Sequence, residues 1–440
     1  MIGPATYFRP EQRAGLDDRT RTLIERREAV LSPGYRLFYA LPVEFVRGAG
    51  TKLYTREGDE YLDVYNNVPS VGHSHPRVVA AIAEQAALLN THTRYLHEGL
   101  IDYAELLLAS FPAPLDTLTL VCTGSEANDL ALRVAKNATG HRGVIVTENA
   151  YHGVTTEIAA ISPSLGGRDS VADWVRTVRP PVGDGTSMIE DARAAIAELQ
   201  AAGHGVAALI VDTVFASDGF IAPSLGTSAA LSELQRLVHG AGGLVIADEV
   251  QPGFGRLGAT DAAPGLWGFL HHGVEPDLVT IGKPMANGLP VAGLVARREI
   301  MQAFGERVRY FNTFAGTPVS VAAARATWDV LHDEQLPKHA STVGADLLAT
   351  LTELASRHER LSTVRGRGLY LAVDVVDRES GAPDEQAAVA LVGALRERRI
   401  LISASGRDNA ALKLRPPLPF SRDDAERFAT ELDGALRDLG

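Results

Sequence analysis

The 440-residue sequence predicts an α/β protein: a large domain with a mostly parallel sheet flanked by helices, plus a small α/β domain. Three observations predict it. From residue 115 onward, short Val/Ile/Leu runs alternate with helical stretches, as buried parallel strands do in α/β units. The runs fall at 118–122, 143–147, 207–212, 243–248, 277–281 and 291–296. The chain is 45% hydrophobic and 22% charged, which supports a large core and more than one domain.

The elements follow in order. Residues 1–35 are rich in Arg and Glu, with Leu16, Leu23, Ile24 and Leu31 spread along them, and predict an N-terminal arm or helix. Residues 43–65 alternate apolar and polar around Glu57-Gly58-Asp59, the pattern of a hairpin. Helical patterns occupy 76–90 and 98–110. After residue 318 two long helices precede a turn at Arg365-Gly366-Arg367-Gly368 and a strand from Leu369 to Asp374. A helix near 386–398, strand-like runs at 400–403 and 411–414, and a helix over 421–438 close the chain. This predicts an N-terminal arm and part of a small domain in 1–70, a large domain in 71–325, and a C-terminal small domain in 326–440.

The net charge of −12 and the lack of a basic block argue against a nucleic-acid partner. Cys122 is the sole cysteine, so no internal disulfide framework or cysteine-ligated metal cluster is expected. It lies in an apolar run and reads as a small buried residue. No apolar stretch approaches the roughly 18 residues of a membrane span, and the N-terminus lacks an apolar signal core. A soluble cytoplasmic protein is expected. His73, His75, His271 and His272 lack acidic partners at ligand spacing. They read as loop and helix-capping residues, and no metal site is expected.

Two strand ends carry the chemistry. Lys283 stands in Ile281-Gly282-Lys283-Pro284, just past the run Asp277-Leu278-Val279-Thr280. Thirty-five residues upstream, Leu244-Val245-Ile246-Ala247 ends in Asp248-Glu249-Val250-Gln251. A lysine and an aspartate placed so suit pyridoxal phosphate. The lysine amine holds the aldehyde as a Schiff base, and the aspartate keeps the pyridinium nitrogen protonated. The Gln251 amide can hydrogen-bond the ring's phenolic oxygen.

Leu120-Val121-Cys122-Thr123-Gly124-Ser125-Glu126-Ala127-Asn128-Asp129 reads as strand, tight turn and helix. Gly124 permits close backbone approach, and Ser125 adds a hydroxyl where free N–H groups favour a phosphate. The plainer reading is a helix N-cap by Ser125. With Lys283 and Asp248 present, the phosphate reading is preferred. Tyr151-His152-Gly153 follows the run ending at Thr147. Tyr151 either stacks on the cofactor ring or packs at a strand end. His152 would orient the tyrosine or the substrate.

Together these residues resemble the class III aminotransferases, of fold type I among pyridoxal-phosphate enzymes. The resemblance runs from about Leu31 to the end. Its anchors are Thr123 to Asn128, Tyr151-His152-Gly153, Asp248-Glu249-Val250-Gln251, Lys283, and Asn312-Thr313-Phe314-Ala315-Gly316-Thr317-Pro318. It implies that the small domain is built from N- and C-terminal segments. It implies catalytic roles for Lys283 and Asp248, and cofactor contacts from Gly124, Ser125, Tyr151, His152, Val250, Gln251 and Thr313. Thr313 would reach the cofactor phosphate of a neighbouring subunit, which implies a homodimer with shared active sites; pairing of dimers into tetramers stays open.

Within that class the chain is similar to the phospholyases acting on O-phosphoethanolamine and 5-phosphohydroxylysine. Tyr65-Asn66-Asn67 to Gly72-His73, and Asn90 to His97, carry this. An amide pair with a nearby arginine suits an anionic group, and that reading is preferred to the plainer one of Asn66 and Asn67 in a turn and Arg94 in a surface ion pair. Matched through Pro416-Pro417-Leu418, the position of the family's carboxylate-gripping arginine holds Lys413, with Arg415 two residues on. The matching glutamate position holds Ser217. The gate that alternates two substrates is therefore expected to be absent. Ala286, Leu289, Ala315 and Thr317 also depart from the family's usual residues.

The expected reaction is elimination of phosphate from a small phosphorylated amine, giving aldehyde, ammonia and phosphate. Lys283 would remove the proton, and Asn67, Arg94, Lys413 and Arg415 are the candidate holders of the substrate's anionic end. A class III aminotransferase using an ω-amino acid or amine with a keto acid is the alternative. A fold that holds cofactor without turnover is disfavoured by the complete set of Lys283, Asp248 and Gln251.

Overall fold

The computed structural model describes residues 6–167, 170–260 and 265–439. Its centre is a seven-stranded sheet. The order is Leu115–Val121, Ala292–Arg297, Leu278–Ile281, Leu244–Asp248, Ala208–Asp212, Val144–Thr147, Val175–Val178. The four interior runs of that series pair in parallel with one another, and Val175–Val178 joins in parallel at the edge. Helices such as Gly124–Thr139, Thr186–Ala201 and Leu225–Gly240 bury apolar faces against it. The strands are nearly continuous Val/Ile/Leu because both faces are covered.

The run at 291–296 was expected to be parallel; the strand Ala292–Arg297 instead lies antiparallel to both neighbours. Only residues 282–291 separate it from Leu278–Ile281, a link too short for the crossover that a parallel pair needs. Because it runs backwards between two strands, Leu115–Val121 points the same way as the other five. All six therefore end at one edge of the sheet. The strand Val175–Val178 gave no apolar run, since its middle residues Arg176 and Thr177 suit an edge.

Two smaller sheets flank the centre. Phe45–Ala49, Lys52–Thr55 and Glu60–Asp63 form an antiparallel meander, the last two turning at the expected Gly58. Ile400–Leu401 pairs in parallel with Glu60–Asp63, so the N- and C-terminal segments share a sheet. Leu361–Arg367, Tyr370–Val375, Ala411–Leu414 and Ser403–Ser405 make the third sheet. Arg365 to Arg367, expected as a turn, are strand; the turn is Gly368-Leu369. Gly366 and the flanking arginines hid that strand, whose outer face is exposed. The N-terminal helix is Asp18–Val30, capped by the Asp17 side chain.

Candidate functional site

Six strand ends on one edge bring together residues far apart in sequence, as open α/β sheets do. At the end of Leu115–Val121 the chain turns into the helix Gly124–Thr139. Thr123 caps that helix: its hydroxyl accepts from Glu126 N at 3.2 Å, and Glu126 Oε2 accepts from Thr123 N at 3.2 Å and Cys122 N at 2.7 Å. Ser125 is therefore not the cap, and its hydroxyl accepts from Val154 N at 3.2 Å. Cys122 is half-buried rather than buried. Glycines allow the close approach here. A Cβ on Gly124 would stand 2.9 Å from Val250, and one on Gly153 2.4 Å from Ser125 Oγ.

Asp248 ends the strand Leu244–Asp248 and is buried. Its Oδ2 accepts from Asn128 Nδ2 at 2.9 Å and contacts His152 Nδ1 at 2.8 Å, and its Oδ1 accepts from Val250 N at 3.0 Å. His152 thus holds Asp248 in place through Nδ1. Asn128 also donates to the His152 carbonyl at 2.7 Å and accepts from the Thr280 hydroxyl at 2.6 Å. Directly beside Asp248 on the neighbouring strand is Asp212. Burial, with Asp248 next to it, pushes the Asp212 carboxyl up to about 6, although Val214 N and Ala216 N donate to it and Lys413 opposes the rise.

Lys283 follows Leu278–Ile281 after Gly282. The structure brings it into one cavity of about 200 Å³ with Gly124, Ser125, Tyr151, His152, Asp212, Asp248, Val250 and Gln251. Burial holds its amine below the usual lysine value; Arg415 pushes the same way, while Asp248 and Asp212 oppose. A desolvated amine of this kind is a nucleophile and a base. Tyr151 is half-buried at the cavity wall, its hydroxyl raised by burial and by Asp248.

The expected substrate residues part company. Arg415 stacks over Tyr65 at 4.7 Å, donates to Gln251 Oε1 at 2.5 Å, and is close enough to act on the Lys283 amine. Asn67 is buried and spends its amide nitrogen on the Gln251 carbonyl at 3.0 Å, so it supports the cavity wall. Lys413 is buried, with Nζ donating to Ala216 O at 3.0 Å, and it is not among the residues that line the cavity. Lys413 thus meets the residue that precedes Ser217, the position matched to the gate's glutamate. Arg94 is exposed over Phe311 at 3.7 Å and, with Asn312, borders a separate groove. Thr313 is exposed as well, outside this cavity.

Asn128, Thr280, Asp212 and Tyr370 were not anticipated as site residues. Asn128 lay within the motif that was read, and Asp212 ends a strand just as Asp248 does. For Tyr370 no local signal exists. Two of the four histidines found acidic partners in three dimensions: His73 contacts Asp63 at 2.7 Å and His75 contacts Glu334 at 3.2 Å. The His75 ring does not cap its helix. Among the described residues no group of three or more His, Cys, Asp or Glu could hold a metal, and no helix is long and apolar enough to cross a membrane.

The residues present fit pyridoxal phosphate. Lysine amine, acid, glutamine and helix N-terminus converge on one cavity, and a Cβ at Gly124 or Gly153 would crowd Val250 or Ser125 in its wall.

The family model described as "Aminotransferase class-III" matches residues 38–436. A Drosophila melanogaster protein named alanine–glyoxylate aminotransferase 2-like is 38% identical over 92% of this chain and 85% of its own. A Caenorhabditis elegans protein named ethanolamine-phosphate phospho-lyase homolog 1 is 35% identical over 99% of this chain and 97% of its own. Among solved structures, an Arthrobacter phospholyase in complex with phosphoethanolamine superposes with TM-score 0.90 at 41% identity, covering 95% of this chain and 100% of that one. The chain belongs to the class III aminotransferase family, and that membership implies pyridoxal phosphate as its cofactor.

Proposed function

We propose that this protein is a pyridoxal-phosphate-dependent phospholyase that eliminates phosphate from a small phosphorylated amine such as O-phosphoethanolamine. The observation that carries the reading is the 41% identity, across nearly the whole chain, with a phospholyase captured with phosphoethanolamine. When bound, the cofactor supplies an aldehyde for the substrate amine and a ring that takes up the electrons of the broken C–H bond. Lys283, whose amine burial holds below the usual lysine range, takes the proton from the carbon bearing the nitrogen. Asp248 keeps the ring nitrogen protonated, and Asn128 and His152 hold that carboxylate in place. Arg415, which stacks over Tyr65 and donates to Gln251 at the cavity wall, is the cation we assign to grip the anionic end. The C–O bond to phosphate breaks, and water releases ammonia and acetaldehyde.

The arrangement of Lys413 agrees with this. A second substrate with a carboxylate needs a mobile cation, and the buried Lys413 amine is held on Ala216 O at 3.0 Å. A homodimer supplies the remaining groups. Tyr95, Leu96 and Phe314 are exposed apolar residues beside Arg94 and Thr313. A second copy covering them carries Arg94 and Thr313 to its neighbour's cavity.

The Drosophila relative's name favours a second reading, an aminotransferase using an amine and a keto acid. The deciding experiment incubates cofactor-loaded protein with O-phosphoethanolamine and no keto acid. Equal release of phosphate, ammonia and acetaldehyde is expected. No phosphate, with visible absorption bleached by plain amines and restored by pyruvate, moves the assignment to the aminotransferase.

A further inference from the structure

Three contacts converge on Gln251 at the cavity wall. Asn67 Nδ2 donates to its backbone carbonyl at 3.0 Å. Arg415 Nη1 donates to its side-chain Oε1 at 2.5 Å, and the Tyr370 hydroxyl donates to the same oxygen at 3.2 Å. Arginine has donors only, so the Gln251 atom facing it is oxygen and not nitrogen. Both N–H groups of the amide are then left for the cavity that Gln251 lines.

Tyr370 reaches Gln251 from a different sheet, on the strand Tyr370–Val375. It is fully buried and its ring packs on Phe220 at 4.7 Å. Burial raises its hydroxyl well above the usual tyrosine range, so it stays a donor. A terminal amide torsion is soft, and one donor holds it at a single point only. A second donor from another direction limits that rotation.

We propose that Tyr370 is a positioning residue: with Arg415 it fixes the Gln251 amide so that its N–H groups face the cofactor. The inference rests on pyridoxal phosphate as cofactor and not on the choice of substrate. It makes the C-terminal sheet part of cofactor binding although Tyr370 itself does not line the cavity.

The test is a double-mutant cycle of Tyr370→Phe and Gln251→Leu, read as the dissociation constant of the cofactor and the pH midpoint of its visible band. In the wild-type background Tyr370→Phe should weaken cofactor binding about fivefold, the size of one lost neutral hydrogen bond, and shift the midpoint. In the Gln251→Leu background it should do nothing. Its thermal midpoint should stay near wild type, because the contact with Phe220 remains. A further variant, Gln251→Glu, keeps an acceptor oxygen for both donors but loses the N–H groups, and should also weaken binding. Additive effects in the cycle, or unchanged binding in Tyr370→Phe or Gln251→Glu, overturn the inference. A wild-type chain that takes up no pyridoxal phosphate overturns the cofactor reading and the inference with it.

Discussion

Asn128 and Asp248 are joined by a 2.9 Å hydrogen bond inside the protein, with the same amide nitrogen also 2.7 Å from the His152 carbonyl. One side chain thus ties the helix, the loop after Thr147 and the central strand around a single carboxylate. Replacing Asn128 with Ala leaves the His152 carbonyl and the Thr280 hydroxyl short of a partner. Stability should fall by about 1–3 kcal/mol, the cost of such orphaned groups. Turnover should fall about tenfold or more as Asp248 loses its orientation. A denaturant titration beside steady-state kinetics checks both; full activity at lowered stability would mean that Asn128 serves packing alone.

Lys283→Ala should abolish turnover and the visible absorption of lysine-bound cofactor. Steady-state rates near wild type would refute the assignment of Lys283.

The charges around Lys283 set the pH at which its amine becomes neutral. Arg415 lowers that pH and Asp248 raises it. Removing a nearby cation favours the ammonium, so Arg415→Gln should move the midpoint upward. Removing the Asp248 charge favours the neutral amine, so Asp248→Asn should move it downward. The pH dependence of cofactor uptake by the apoprotein measures this. Shifts of the same sign in both variants contradict the electrostatic account.

Asp218 gives a stability signature. Its carboxyl accepts from the Thr147 hydroxyl at 2.7 Å and Asn149 N at 3.1 Å, yet burial pushes it up to about 6. A folded-state value above the unfolded one, near about 4, means that its stabilising contribution is full at low pH. That contribution is lost as pH rises through 6. Asp218→Asn should therefore gain on wild type as pH rises from about 3 to about 8, by up to roughly 3 kcal/mol. Thermal melts at the two pH values give the comparison; a gain at the acidic end instead reverses the sign and rejects the cause.

Gly153 has φ of 135°, and its Cβ would lie 2.4 Å from Ser125 Oγ. Gly153→Ala should cost about 1–3 kcal/mol in strain and weaken cofactor binding at the helix end. Unchanged binding by calorimetry would place Gly153 outside the phosphate cradle.

The sequence by itself determined the strands and the residues at their ends. Parallel strands buried on both faces must be apolar runs, and polar residues just after them stand out. Lys283, Asp248, Gln251, Gly124, Ser125 and Tyr151 were legible for that reason, and the structure brings them into one cavity. Strand direction was not legible. Ala292–Arg297 has the same apolar composition as its neighbours, and only the length of its connection makes it antiparallel. The partners of each site residue were decided by tertiary structure alone. Lys413 and Arg415 are two residues apart on one segment. One is sealed against Ala216 O and the other stacks on Tyr65 beside the cavity. Tyr370 meets Gln251 across 119 residues of chain. Hydrogen bonds and charge pairs act over a few ångströms, and no local pattern records which distant segment arrives within that range.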